Sequence, residues 1–227
     1  MTRVHIMTAM LLAMVLRMSA AEPPAVPAWE EPRHRLVFEK DAIRIFNTNI
    51  PAGDRSLYHR HEHPTLYVVL NAARMRNQDS GKDWVEAPAA GPAMPAGAFL
   101  FRDYAAEPQT HRVENIDDHS FQVIGVVHLG PGTEAAAEGA GTPELHNRWF
   151  DGYRFRLAAG QGTGQHLHAH PVLVVQAGNG RSCVVEHDWP TAEKTVAGTW
   201  SMHDAGVAHE LKNLGADGVE LVEIEIK

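Results

Sequence analysis

The chain has 227 residues, a formal net charge of −8 with its histidines neutral, and an apolar fraction of 44%. This length is enough for one large or two small domains with hydrophobic cores. Lys and Arg form no cluster, which argues against a nucleic-acid partner and against binding to an anionic membrane surface. The one cysteine, Cys183, excludes an internal disulfide, and its apolar neighbours predict a buried strand residue.

Residues 1–21 have the pattern of a secretory signal peptide. A basic start at Arg3 precedes an apolar run from Ile6 to Leu16, and small residues follow near Ala21. The run is shorter than the roughly 20 apolar residues that span a bilayer. We therefore expect a periplasmic or secreted protein without stable membrane insertion. The alternatives are an uncleaved anchor and a wrongly assigned start codon.

Short strands separated by turns account for most of the remaining chain. Residues 22–34 are rich in proline and predict an extended N-terminal arm. Residues 35–130 and 144–227 contain no amphipathic helix of useful length, and the small, low-complexity residues 131–143 predict a linker between them. The predicted strands include residues 42–46, 66–70, 98–101, 121–127, 153–157 and 173–175.

One histidine-rich phrase occurs twice. The sequence is HRHEHP at residues 59–64 and HLHAHP at residues 166–171, and an apolar β-branched run follows each copy. Alternate side chains of a strand project to one face. Each phrase therefore predicts three imidazoles that point into a common space. On a helix, residues two apart point to nearly opposite sides and could not share one ion.

A second motif, H-x-x-x-N, follows each phrase, as His111 with Asn115 and as His209 with Asn213. The copies of the phrase are 107 residues apart and the copies of this motif 98, so the second copy has shorter loops. A repeat of this length predicts a duplicated domain. We expect both asparagines to form turns by binding their own backbone. Histidines without this pattern are interpreted as ordinary surface residues: His34, His119, His128, His146 and His187.

These motifs resemble those of the cupin superfamily, and their repetition resembles a bicupin. The family's first motif is a glycine, five residues, H-x-H, three or four residues and a glutamate, and its second contains P-x-G, two residues, H, three residues and N. Gly53 and Gly160 stand six residues before the first histidine of each copy, but neither copy has the motif glutamate. The resemblance covers about residues 35–130 and 144–227. It implies an all-β chain of two tandem β-barrels of the jelly-roll, or double-stranded β-helix, type.

By this resemblance, each barrel would bind up to one divalent transition metal: Fe, Mn, Ni, Cu or Zn. Neutral imidazole suits such ions, and three ligands leave coordination positions open for water or substrate. His63 and His170 are either fourth ligands or partners of the ligands. The alternative is a set of barrel-mouth histidines without metal, although leaving three buried imidazoles unpaired would be costly. The implied ligands are His59, His61 and His111 in the first barrel, and His166, His168 and His209 in the second.

The leading functional hypothesis is an exported, metal-binding bicupin. Its enzymatic form would be a non-haem, dioxygenase-type oxidoreductase that acts on a small organic molecule. The alternative is a non-catalytic protein that binds a metal or a small ligand for storage or sensing. A third hypothesis makes one barrel catalytic and the other structural. No residue outside the ligands stands out as a general base, so catalytic residues are not assigned, and a homo-oligomer is compatible with the sequence.

Overall fold

The structure is a computed structural model that describes residues 24–86, 94–137 and 139–227. The predicted signal peptide, residues 1–21, lies outside these ranges. Within them the chain forms β-strands, one short 3-10 helix at Ala28–Glu30 and no α-helix, so the predicted all-β class is confirmed. No helix in the described ranges has the length and apolar character needed to cross a bilayer.

Ten strands, which we call the first half, make two five-stranded sheets. They are β1 (Val26–Pro27), β2 (His34–Lys40), β3 (Ile43–Ile50), β4 (His59–His61), β5 (Thr65–Asn71), β6 (Met75–Asp79), β7 (Val85–Glu86), β8 (Phe99–Arg102), β9 (Gln109–Asn115) and β10 (Phe121–His128). The strand orders are β1-β4-β9-β6-β7 and β2-β3-β10-β5-β8.

Eight strands, the second half, make one five-stranded and one three-stranded sheet. They are β11 (Leu145–His146), β12 (Phe150–Leu157), β13 (Val172–Gln176), β14 (Ser182–Glu186), β15 (Trp189–Lys194), β16 (Trp200–His203), β17 (His209–Asn213) and β18 (Val219–Ile226). The strand orders are β11-β12-β18-β13-β16 and β15-β14-β17.

Corresponding strands of the two halves follow the same order within their sheets. The run β12-β18-β13-β16 corresponds to β3-β10-β5-β8, and β15-β14-β17 corresponds to β7-β6-β9. This correspondence agrees with the repeat in the sequence. Duplication as its origin, and the domain limits at residues 130 and 144, stay predictions.

A common apolar core joins the two halves, because alternate residues of the sheets β2-β3-β10-β5-β8 and β11-β12-β18-β13-β16 face each other. The remaining residues of the same strands face the interior of each half, where the histidines lie. Cys183 is buried on β14, as predicted. The fully buried members of the shared core are Ile45, Leu66, Val68, Ile124 and Val126 from the first half, and Phe150, Leu173, Val175, Val222, Ile224 and Ile226 from the second.

The two motif asparagines hold equivalent turns. Asn115 donates a hydrogen bond to the carbonyl of His119 at 2.7 Å, and Asn213 donates to the carbonyl of Asp217 at 2.7 Å. Each also donates to a carbonyl at the end of a neighbouring strand, β3 or β12. Both asparagines are buried. Their predicted role as turn formers is confirmed.

Gly125 on β10 marks a close approach inside the first half. It lies opposite Phe46 on β3, and a Cβ atom at Gly125 would overlap the Phe46 ring. We expect Gly125→Ala to lower the free energy of unfolding by about 1–3 kcal/mol through overpacking, as measured by urea denaturation. Gly178→Ala is the matched control, because its added Cβ would meet no atom within 4 Å. Equal stability of the two variants would contradict this packing.

Candidate metal centres

Three histidines converge inside the first half. Strand β4 pairs antiparallel with β9 so that His59 lies directly opposite His111. His61 follows two residues later and projects to the same face as His59. One ligand atom from each of these residues lies within 4.8 Å of the others. The structure thus brings together the whole set that the sequence predicts here, and we call it the first cluster.

Hydrogen bonds from the far side of the rings orient the first cluster. The Nδ1 atom of His59 donates to the carbonyl of Leu57 at 2.9 Å, and the Nδ1 atom of His111 donates to the side-chain oxygen of Asn77. Metal-binding histidines usually engage one ring nitrogen in this way. The Nε2 atoms of both rings are therefore the ones that can be offered to an ion.

Two tyrosines surround His61. The Tyr104 ring stacks on the imidazole with a centroid distance of 4.4 Å, and the Tyr67 hydroxyl lies 3.4 Å from its Nδ1 atom. Tyr104 is buried and Tyr67 is half-buried. These contacts fix the plane of the imidazole and close one side of the site.

The interpretation of His34 as a surface residue is wrong. Its side chain is buried, and its ring lies 4.6 Å from the His59 ring. The cause is the N-terminal arm, where Val26 pairs in parallel with His59 and the turn that follows folds His34 inward. The ring is held by a 2.8 Å hydrogen bond to the carbonyl of Ala28, but it is not part of the first cluster. His128, also interpreted as a surface residue, is likewise buried.

Glu31 attaches the arm to the first cluster. This carboxylate is 2% exposed and accepts hydrogen bonds from the backbone nitrogens of Arg33 and Leu57. Leu57 in turn holds the ring of His59 through its carbonyl. Residues 24–34 are therefore a packed part of the first half that supports a candidate ligand.

The first cluster lines a cavity of about 150 Å³. His34, Thr48, Tyr67 and Tyr104 supply the other polar groups of its wall. In the described part of the chain, neither lysine nor arginine lines this cavity, so the wall is apolar with a histidine-rich side. The apolar lining comes from Ile50, Leu100, Val113, Phe121 and Val123.

A second cluster forms in the second half from His166, His168, His209 and Glu223. His166 and His209 lie opposite each other, as His59 and His111 do. Glu223 on β18 is fully buried, and its carboxylate lies 2.9 Å from the Nε2 atom of His209 and 3.0 Å from that of His166. The three predicted histidines are brought together, and the carboxylate was not predicted.

No family model and no curated protein matches this sequence. Solved structures match it in shape. AerE from Microcystis aeruginosa matches with a TM-score of 0.61 and 12% identity, over 84% of this chain and 90% of that one. Salicylate 1,2-dioxygenase from Pseudaminobacter salicylatoxidans matches with a TM-score of 0.54 and 11% identity, over 86% and 77%. YhaK from Escherichia coli matches with a TM-score of 0.52 and 13% identity, over 86% and 92%.

The chain has a cupin fold. The motifs predict this fold, and the structural matches confirm it. At identities this low the likeness concerns the fold alone.

In this chain, the glutamate of the second cluster comes from a strand other than the one that the motif predicts. The motif position holds no carboxylate, whereas Glu223 reaches the cluster from β18, 14 residues after His209. The expectation of a histidine-only site therefore holds for the first cluster and not for the second. A usable signal was present, because β18 has glutamates at 223 and 225 among apolar residues, and a buried glutamate needs a partner.

His63 and His170 lie outside both clusters, since the chain bends at the third histidine of each phrase, just before the proline. The Nδ1 atom of His170 lies 2.9 Å from Oε1 of Glu225, and Oε2 of Glu225 lies 3.1 Å from Nδ1 of His168. His170 is thus a partner of the carboxylate that orients His168. The ring of His63 lies 5.9 Å from that of Trp29.

One strand position distinguishes the two clusters. Glu223 lies opposite Tyr153, and the corresponding residue of the first half, Gly125, lies opposite Phe46. In the first half, the Phe46 ring covers the place where a side chain at Gly125 would begin. The first cluster has no carboxylate from this position, because the Phe46 ring occupies the space that a side chain at residue 125 would need.

The first cluster is electrically neutral. Burial lowers the pKa of His59 to about 4. Burial and the neighbouring His59 together lower the pKa of His111 to about 3. Burial and the nearby histidines also hold the pKa of His61 well below its ordinary value. Neutral imidazole is the form that binds metals.

The second cluster is ionised. Burial by itself would raise the pKa of Glu223, but hydrogen bonds from His166, His168 and His209 outweigh it and hold this pKa well below the ordinary value. Burial would lower the pKa of His168, but Glu223 and Glu225 outweigh it and raise this pKa to about 9. Buried charges of opposite sign thus compensate each other in this half.

A hydrogen-bonded chain lies beside the second cluster. Glu186 binds Nδ1 of His203, and Nε2 of His203 lies 2.7 Å from the hydroxyl of Ser201. The Nζ atom of Lys194 donates to the same hydroxyl at 2.8 Å. Lys194 is 1% exposed, and burial lowers its pKa to about 8.

Lys194 predicts an alkaline pH dependence of stability. The pKa of Lys194 is about 8 in the folded chain, whereas its ordinary value, which applies to the unfolded chain, is 10.5. Between these two pH values the unfolded chain therefore binds more protons than the folded chain. The contribution of Lys194 to the free energy of unfolding should therefore rise from pH 8 to pH 10.5. Urea denaturation at several pH values should show this rise in the native chain and lose it in Lys194→Met. Lys212→Met, on the exposed side of β17, is the control; equal pH slopes in all three chains would contradict the assignment.

Proposed function

We propose that this cupin binds a divalent transition metal at the first cluster and acts there as a non-haem, dioxygenase-type oxidoreductase on a small organic molecule. The observation that carries the proposal is the position of three neutral histidines on the wall of an apolar cavity. Such imidazoles suit Fe, Mn, Ni, Cu or Zn. One protein that shares the fold is named salicylate 1,2-dioxygenase, which agrees with this class of chemistry.

The residues of the first cluster fit a metal ion. His59, His61 and His111 would hold it, because the Nδ1 atoms of His59 and His111 are engaged by the protein and Nε2 remains free to ligate. A bound ion supplies Lewis-acid and redox chemistry. The chain itself orients the imidazoles, excludes water with the apolar wall, and holds the substrate against the tyrosines that flank His61.

For the second cluster we propose metal binding without turnover. His166, His168, His209 and Glu223 offer four ligand atoms, which is the number that fills a tetrahedral structural site. The specific observation is the convergence of these four residues, and an ion there would displace the protons that now lie between Glu223 and the histidine Nε2 atoms. This proposal makes one half catalytic and the other structural.

Elemental analysis of untagged protein tests both assignments. We expect up to one ion in each half. His59→Ala/His111→Ala should lose the ion of the first half and abolish oxygen consumption across a panel of phenols, diols, diketones and carboxylates, because two of three ligands are missing. His166→Ala/His209→Ala should lose the other ion and keep measurable oxygen consumption.

The control is His187→Asn, which replaces an exposed histidine outside the candidate metal groups with a residue that tolerates its positive φ. Its metal content and oxygen consumption should match those of the native chain. Protein without stoichiometric metal, or oxygen consumption that survives His59→Ala/His111→Ala, would overturn the proposal for the first half.

We also propose that the protein works outside the cytoplasm. The support is the basic and apolar pattern of residues 1–21 in the sequence. Cell fractionation with intact-mass measurement should find the chain in the periplasm or medium, shortened by about 21 residues. A chain that starts with Met before Glu22 should stay in the cytoplasm. Recovery of only the full-length native chain from the cytoplasm would contradict export.

A further inference from the structure

We propose that the cavity of the first half takes a molecule of about one ring that carries a single acidic donor group and no second charge, with Thr48 as the hydrogen-bond partner of a polar substituent. This inference rests on the proposed metal binding at the first cluster. The acidic group, a phenol, enol or thiol, would face the three histidines, and the remainder would lie against the apolar wall.

The volume of the cavity limits the size of the ligand. Its volume is about 150 Å³, and a protein cavity of roughly this size, lined by apolar side chains, holds one benzene molecule. Pockets for drug-sized ligands are larger, about 300–1,000 Å³. The first half therefore suits a ligand of one ring, or an aliphatic molecule of the same bulk.

The charges around the cavity limit the chemistry of the ligand. Among the residues that the structure describes, no lysine or arginine lines the cavity. Arg102, which acts electrostatically on Tyr67 and Tyr104, is exposed and outside the lining. A carboxylate held against this wall, away from the ion, would be buried without a partner, which is costly. A group that ionises on the ion itself meets no such cost.

The contrast with the second cluster supports one acidic donor group. Glu223 supplies a negative charge there, whereas the corresponding Gly125 supplies none. A divalent ion held by three neutral imidazoles keeps its whole charge, which favours an anionic donor from outside the protein. The ligand would thus take the electrostatic place that Glu223 takes in the other half.

Thr48 is a wall residue with an unmet hydrogen bond. It is 4% exposed, and its hydroxyl is buried without a partner among the described residues. Thr48 and Ile50 occupy alternate positions on β3, and both line the cavity. By contrast, the hydroxyls of Tyr67 and Tyr104 interact with each other. Thr48 therefore carries the unpaired hydroxyl of the wall, and a rotation about its Cα–Cβ bond would turn this hydroxyl towards a polar substituent on the ligand.

Cobalt(II)-loaded protein gives a test that does not depend on turnover. Its visible absorption should change on titration with phenol, and the change should be absent in His59→Ala/His111→Ala. Phenol and 4-hydroxybenzamide should bind at least about tenfold more tightly than 4-hydroxybenzenesulfonate, whose sulfonate is a very weak metal ligand and would have to be buried against the wall. Binding of 4-hydroxybenzenesulfonate as tight as that of phenol would overturn the inference.

The role of Thr48 is tested with the three dihydroxybenzene isomers. At least one isomer should bind the native protein more tightly than phenol does. Thr48→Val, which has nearly the same shape, should remove that advantage and leave phenol binding unchanged, whereas Thr48→Ser should keep it. If each of the three isomers binds Thr48→Val with the same affinity as it binds the native protein, the assignment of Thr48 is overturned.

The cobalt spectrum without ligand separates this inference from the proposed function. A chain that takes up no cobalt at the first cluster contradicts metal binding there. The wall is then tested in metal-free protein by NMR titration with toluene and benzoate. Toluene should bind and benzoate should not; equal binding of the two would overturn the inference about the cavity itself.

Discussion

Both clusters depend on one antiparallel pairing, which places a histidine of the repeated phrase opposite a histidine of a later strand. His59 pairs with His111, and His166 pairs with His209. The pairing brings imidazoles to one face because neighbouring strands lie about 4.8 Å apart and side chains alternate. The shared apolar core holds the sheets that contain β10 and β18 behind this pairing, so the rings keep their positions without an ion.

A single strand position gives the two clusters different electrostatics. At Gly125 the interior is filled by the Phe46 ring, and the imidazoles nearby are neutral because burial disfavours their charged form. At Glu223 a buried carboxylate interacts with three histidines and favours the protonation of His166 and His168. Similar strand frameworks therefore produce a neutral site beside a cavity and an ionised site without any change in strand order.

The sequence predicted much of the fold and of both ligand sets. Alternating apolar runs indicated strands that the structure contains, and the repeated motifs indicated the cupin fold and six histidines that do converge. The turn-forming asparagines, Asn115 and Asn213, were also predictable, because an asparagine that binds its own backbone acts over only a few residues. These features were accessible because spacing along the strand determines which side chains share a face.

Long-range pairing decided the rest. Glu223 joins the second cluster, and His34 lies beside the first, only because β18 and the N-terminal arm pack where they do. The same packing gives Gly125 its aromatic neighbour and leaves Thr48 as a cavity wall residue. Local spacing by itself thus determined the strands and the histidines of each phrase that share a face, and the resemblance to the cupin motifs added His111 and His209. Only the tertiary structure decided the charge of each cluster and the shape of its surroundings, because both depend on side chains brought together from strands distant in sequence.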